Sequence, residues 1–192
     1  IGNALVKMSD LIESNRGKRG LIGLPTGFPT LDKYTHGFQA KTVTIVAGRP
    51  SMGKTCFALN VMVNMAKRGK KVVFFSIEMP EEAVAFRITS MVSGISMSDL
   101  MSGDLDKTLV DQYSKAVSQL GSMPIRIYDY FYTASAIIRM IRKIHRTEGL
   151  DAVFIDYLQH FKLPNKRDKR EEVGEISRLF KAEDVSCSGQ PK

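Results

Sequence analysis

One stretch, Gly48-Arg49-Pro50-Ser51-Met52-Gly53-Lys54-Thr55, restricts the fold of this chain more than any other. It fits G-x-x-x-x-G-K-[ST], a phosphate-cradling loop that works only between a strand and a helix. Both flanks are present. Thr42-Val43-Thr44-Ile45-Val46-Ala47 is a β-branched run that predicts a buried strand, and Cys56 to Ala66 predicts a helix. The loop must curl so that backbone N–H groups converge on one anion. Gly48 and Gly53 remove Cβ atoms where the chain turns tightly or approaches phosphate. The following helix offers free N–H groups and the positive end of its dipole. Lys54 adds a mobile cation for the terminal phosphates, and Thr55 a hydroxyl for Mg²⁺, which prefers oxygen ligands.

The rest of the chain alternates strands and helices. Lys71 to Ile77 predicts a second buried strand ending at Glu78. Pro80-Glu81-Glu82 then opens a helix that stops near Gly94. Ile95 to Ser122 reads as two helical pieces, the longer from about Asp106 to Leu120. Ile125 to Tyr128 is a short strand, Ala134 to Thr147 a helix, and Ala152 to Ile155 a strong strand ending at Asp156. This alternation predicts an α/β fold, a parallel sheet with helices on both faces. Ligands of such sheets bind at the carboxyl ends of the strands. The phosphate loop, Glu78 and Asp156 all fall there.

A nucleoside triphosphate with Mg²⁺ needs a carboxylate near the metal and a group that orients the attacking water. Asp156, after four apolar residues, is assigned to the Mg²⁺ shell, and Glu78 to the base that polarises water. The competing readings are a turn aspartate and a first-turn helical glutamate. Beyond Asp156, the segment His160 to Arg170 is basic. Its Lys162, Lys166, Arg167, Lys169 and Arg170 suit a loop on a nucleic-acid backbone, or equally a solvated surface.

Composition sets outer limits. The 192 residues, 43% of them apolar, suit one domain. No apolar run approaches the roughly 20 residues that span a bilayer, and no secretory signal is visible; no membrane partner is expected. A net charge of +8 fits a polyanionic partner or a solvated basic surface. Cys56 and Cys187 form no disulfide or metal spacing, which points to a reducing, cytoplasmic compartment; Cys56 is expected to pack as a small apolar residue. His145 and His160 are read as structural or surface residues with no metal role. Leu5, Met8, Leu11 and Ile12 have helical spacing over Asn3 to Asn15. That helix packs either on its own domain or on a neighbouring subunit. Ser14 to Gly20 reads as a flexible basic linker. Gly23 to Asp32 reads as an ordered loop with one helical turn.

The interior Arg49-Pro50-Ser51-Met52 is far more specific than the general loop and resembles that of DnaB-type replicative DNA helicases. Phe75-Ser76-Ile77-Glu78-Met79-Pro80 is similar to the family's second-strand motif. Ile155-Asp156-Tyr157-Leu158-Gln159 resembles its Walker B motif and Glu175-Ile176-Ser177-Arg178 its following helix. The segment Gly23 to Gly37, with Thr-Gly-x-x-x-Leu-Asp, resembles its entry segment.

The resemblance implies a RecA-like ATPase core over residues 21–180, preceded by a linker helix and flexible linker over 1–20. It implies a homo-oligomeric ring, a hexamer, that encircles single-stranded DNA and moves on ATP hydrolysis. Primase and a helicase loader are implied partners. Arg87 matches a family position that contacts the nucleotide base, and Leu5 to Ile12 the helix that docks on the adjacent subunit. The alternative is a RecA-like DNA-binding ATPase, a recombinase or regulatory enzyme, that does not unwind. A third reading is a fragment that binds nucleotide or a partner without turnover. A start at Ile1 is read as a fragment of a longer chain. Residues 181–192 carry none of the hydrophobic strand that follows in the family, and they are read as a tail of uncertain continuity, in which Glu183 to Lys192 are not taken as contiguous with Phe180.

Overall fold

The computed structural model describes residues 2–16, 21–40, 42–130 and 133–156. Its elements follow in the order α1 (Gly2–Asn15), α2 (Pro29–Thr35), α3 (Lys54–Ala66), β1 (Val72–Ser76), α4 (Glu81–Ser93), α5 (Met97–Ser102), α6 (Lys107–Gly121), β2 (Ile125–Tyr128), α7 (Ala134–Glu148) and β3 (Ala152–Asp156).

The strands form a parallel sheet in the order β2-β1-β3. Val72 pairs with Ile125 on one side and Ala152 on the other, and Ser76 ends opposite Asp156. β1 is buried at every position, as an uncharged Val-Val-Phe-Phe-Ser strand at the centre of a covered sheet should be. Its side chains alternate between two cores. Val72 and Phe74 join α3 and α4 through Leu59, Met62, Val84 and Ile88. Val73 and Phe75 join α7 through Ile137, Ile141 and Ile144. Helices therefore cover both faces, as the alternation predicts. Each fully buried Phe contributes about 2–3 kcal/mol of transfer free energy, so β1 and its two helical layers form the rigid base of the domain.

Helix ends carry local signals. Ser96, Asp106 and Thr133 cap α5, α6 and α7 with side-chain oxygens. Gly94 and Gly103 close α4 and α5 in the left-handed conformation.

Three expectations need correction or division. The run Thr42 to Ala47 is not a strand. Val43, Ile45 and Val46 are 41%, 58% and 46% exposed, and no described strand pairs with the run. β-branched residues favour a strand only where a neighbour pairs with it. Cys56 is exposed: it shares a helix side with Leu59 and Val63 but lies in the first turn of α3, beside the exposed phosphate loop. For α1, the described apolar side chains do not pack on the rest of the domain: Leu5, Val6, Met8 and Ile12 are each at least half exposed.

The entry segment is more ordered than a loop. Leu24 and Phe38 form an antiparallel bridge. The Asp32 carboxylate accepts from the Thr26 backbone N–H (2.8 Å), the Thr26 hydroxyl (2.7 Å) and the Gly27 N–H (3.2 Å). Asn64 of α3 donates to the Thr26 carbonyl at 3.1 Å, and Phe28 stacks on Phe57 of α3 at 5.5 Å. Thr26 is fully buried in this knot, which straps residues 24–38 onto the helix behind the phosphate loop.

Candidate nucleotide-binding site

The loop from Gly48 to Gly53 lies exposed between the 42–47 run and α3. Gly53 is the N-cap of α3 with φ of 84°, a conformation that glycine adopts without strain. It brings no capping side chain, so the first-turn N–H groups of α3 stay available for an anion. Gly48 differs. Its φ is ordinary, and an added Cβ would meet Lys54 Cγ at a normal 3.6 Å. The polypeptide alone therefore demands glycine at 53 and not at 48. Ser51 holds a left-handed φ of 63°, at a cost of about 1–3 kcal/mol for a residue with a Cβ. Arg49 and Pro50 sit on the exposed turn, which the Met52 N–H closes onto the Arg49 carbonyl at 3.3 Å. Met52 is 73% exposed.

The Lys54 ammonium curls back along the loop and donates to the Gly48 carbonyl (3.2 Å) and the Arg49 carbonyl (3.1 Å). It thus lies inside the concavity where phosphate oxygens would sit. Val46, Gly48, Met52, Gly53, Lys54 and Phe57 are among the residues lining an open pocket of about 510 Å³ there.

Thr55, one residue further, has the most telling contact. Its hydroxyl donates to Asp156 Oδ2 at 2.6 Å, bridging 101 residues of sequence. Asp156 is buried at 8% exposure at the end of β3. Two of the residues predicted to hold the metal, the Thr55 hydroxyl and the strand-end Asp156 carboxylate, are therefore neighbours. Together they offer hard oxygen donors of the kind Mg²⁺ takes, with Lys54 and the α3 N-terminus placed for phosphates. The residues fit Mg²⁺ and a nucleoside triphosphate.

Glu78 lies two residues beyond β1, exposed on the same carboxyl edge as Asp156. The Ile77 N–H donates to the Asp156 carbonyl at 2.8 Å and holds the two strand ends together. Two residues that the sequence reading passed over shape the turn that carries Glu78. Buried Ser76 donates its hydroxyl to the Met79 carbonyl (2.6 Å) and accepts from the Met79 N–H (3.3 Å). Asp129, just past β2, accepts from the Glu81 N–H at 2.9 Å and caps α4, whose Pro80 N-cap supplies no side-chain acceptor. Asp129 shares a signal with Glu78 and Asp156, an acid at a strand's carboxyl end, and that pattern would have flagged it.

Arg87 is exposed on α4, nine residues beyond Glu78. The basic residues Lys162, Lys166, Arg167, Lys169 and Arg170 lie outside the described residues, as do residues 157–159 and 175–178 of the two later motifs. Among the described residues no cluster of His, Cys, Asp and Glu could hold a metal by itself, and no helix is long and apolar enough to cross a membrane.

Comparison with known proteins agrees with this geometry. The family model of the DnaB-like helicase C terminal domain matches residues 23–185. The replicative DNA helicase DnaB of Helicobacter pylori is 36% identical over 188 residues, covering 94% of this chain and 38% of the relative. The replicative DNA helicase DnaC of Bacillus subtilis is 36% identical over 187 residues, covering 95% of this chain and 41% of the relative. This chain thus spans about two fifths of the length of these curated relatives. Among solved structures, one described as an ATPase domain superposes with a TM-score of 0.85 at 29% identity, over 95% of this chain and 66% of that one. A DnaB-like replicative helicase, described together with its interactions with primase, superposes with a TM-score of 0.83 at 29% identity, over 95% of this chain and 44% of that one. The expected RecA-like α/β class holds, and the chain belongs to the DnaB-like helicase C-terminal domain family.

Proposed function

We propose that this chain is the ATP-hydrolysing motor domain of a ring-shaped replicative DNA helicase, which translocates on single-stranded DNA and unwinds duplex. The observation that carries it is the 2.6 Å contact from Thr55 to Asp156. It joins the phosphate-loop helix to the carboxyl end of β3, with Glu78 on the adjoining strand end, in a chain of the DnaB-like family.

In this reading Gly48 to Thr55 cradles the phosphates, and Lys54 exchanges its two loop carbonyls for phosphate oxygens. Gly48 is glycine because the ligand, not the loop, approaches it. Thr55 and Asp156 hold Mg²⁺, which when bound neutralises the charge that develops on the phosphates. Glu78 polarises the attacking water, and Arg87 contacts the base. Lys162, Lys166, Arg167, Lys169 and Arg170 contact the DNA backbone, where each neutralised phosphate makes binding more salt-sensitive. The exposed apolar residues of α1 dock on the adjacent subunit of a hexamer. Primase and a helicase loader are the expected partners, in a cytoplasmic setting.

ATP turnover by the full-length ring tests the assignment. Lys54→Ala should abolish it, and unchanged turnover in that variant would sink the reading. Strand displacement on a forked substrate separates a helicase from a DNA-stimulated ATPase that does not unwind.

A further inference from the structure

The carboxyl edge of the sheet carries an acid near the end of each strand: Glu78 beyond β1, Asp129 beyond β2 and Asp156 closing β3. The proposed function uses the first and the last. Asp129 has a different geometry. Its Oδ2 accepts from the Glu81 N–H at 2.9 Å across 48 residues, so a strand-end carboxylate caps a helix from another part of the chain. Glu81 and Glu82 already put two negative charges in that first turn. A third carboxylate is tolerated there because a charge-assisted hydrogen bond to a free helix N–H offsets the repulsion.

Glu78 lies between two anchors. On the strand side Ser76 grips both backbone groups of Met79. On the helix side Asp129 grips Glu81. We propose that Asp129 is a positioning residue for ATP hydrolysis: by capping α4 it fixes the turn that aims Glu78 at the Thr55–Asp156 junction. The inference rests on Glu78 acting as the base. The phosphate loop is held separately, by α3 and by Asp156. Loss of Asp129 should therefore leave nucleotide binding intact and slow the chemical step. A misplacement of about 1 Å at a reacting group costs on the order of 100-fold in rate.

The experiment uses the full-length ring with single-stranded DNA. It measures kcat and KM for ATP, binding of a fluorescent ATP analogue, and thermal melting. Asp129→Ala should lower kcat roughly tenfold to 100-fold with analogue affinity unchanged. Asp129→Asn, which keeps an acceptor oxygen, should recover most of the rate. Glu81→Pro removes the donor at a first helical position that tolerates proline and should reproduce the Asp129→Ala defect, with Glu81→Gln, which keeps the N–H, as the control for the lost carboxylate. In a Glu78→Gln background, Asp129→Ala should cause no further loss, since it acts through Glu78. A multiplicative further loss overturns the proposal, as does a kcat loss matched by weaker analogue binding. Wild-type turnover in Asp129→Ala beside a strongly slowed Glu78→Gln overturns the positioning role alone. An active Glu78→Gln overturns the underlying base assignment.

Discussion

The Asp32 knot makes a prediction whose size follows from its geometry. In Asp32→Ala, three donors lose their acceptor: the Thr26 N–H, the Thr26 hydroxyl and the Gly27 N–H, now held at 2.8, 2.7 and 3.2 Å. Thr26 is fully buried, so its two donors are the costly ones. An orphaned buried donor costs about 1–3 kcal/mol. Asp32 itself is partly exposed, which lets water reach the rim and favours the lower end. The expected loss is about 3 kcal/mol, or a fall in Tm of roughly 6–12 °C for a chain of this size. Asp32→Asn keeps one acceptor oxygen and should fall between wild type and Asp32→Ala. Thr26→Val, which keeps the shape and removes one donor and one acceptor, should also destabilise. Urea unfolding followed by far-UV circular dichroism measures all three. An unfolding free energy for Asp32→Ala within about 0.5 kcal/mol of wild type, the range of an ordinary surface substitution, would refute the knot as a structural anchor.

Gly27→Ala should be worse tolerated than most glycine substitutions, because its φ is 86° and the new Cβ would fall 2.2 Å from the Asn64 amide; a soluble variant with wild-type melting would contradict the close approach. Thr55→Val should raise the Mg²⁺ concentration needed for half-maximal turnover by roughly tenfold to 100-fold, read from an Mg²⁺ titration of ATP hydrolysis. Ser76→Ala should cost about 1–2 kcal/mol, since Met79 loses both partners at a buried site, and chemical denaturation measures it. The Arg126–Glu148 ion pair is half exposed on both sides, so Glu148→Gln should cost less than about 1 kcal/mol and less still in high salt. Tyr128 and then Glu148 raise the Arg126 pKa above its ordinary value. Stability from a raised group is present below its unfolded value and lost only as pH climbs through the folded one. The pair's arginine therefore adds no slope to a pH–stability curve between about pH 5 and 9.

Much of the fold could be read in advance because its signals are local. β1, β2 and β3 lie where apolar β-branched or aromatic runs end in Ser, Tyr and Asp. The helices from α3 to α7 follow from periodicity, caps and glycines. Thr42 to Ala47 has the same local signal and no strand, because pairing depends on a partner that the run itself does not encode. Cys56 has the spacing of a core position with Leu59 and Val63 but lies in the first turn of α3 beside the exposed loop, and periodicity does not show how far the core extends along a helix. At the site, Lys54 and Thr55 were legible from spacing alone, and Asp156 from its strand. Asp129 carries the same strand-end signal, but its capping of α4 does not show in the sequence, because the Glu81 N–H lies 48 residues away. Ser76 and the Asp32–Thr26 pairing are turn contacts three and six residues long, and no residue pattern marks which hydroxyl or carboxylate in a turn closes it.

The central position of β1 also has a consequence during synthesis. Its first partner strand begins at Ile125 and its second ends at Asp156. At about 5–20 residues per second, the ribosome leaves the second edge of β1 without a mate for roughly 4–16 s. Throughout that interval Val-Val-Phe-Phe-Ser is an uncharged, strongly β-forming segment, the kind that seeks other chains. Lys70 and Lys71 immediately before it repel such pairing, and α3, already emerged, can shield the Val72–Phe74 side. Replacing both lysines with alanine should increase pelleting of nascent chains, while the mature molecules melt only slightly lower for want of the half-exposed Lys70–Asp151 ion pair and the Lys71 bond to the Glu148 carbonyl. The strand that organises the finished domain is also the one most exposed to error while the domain is being made.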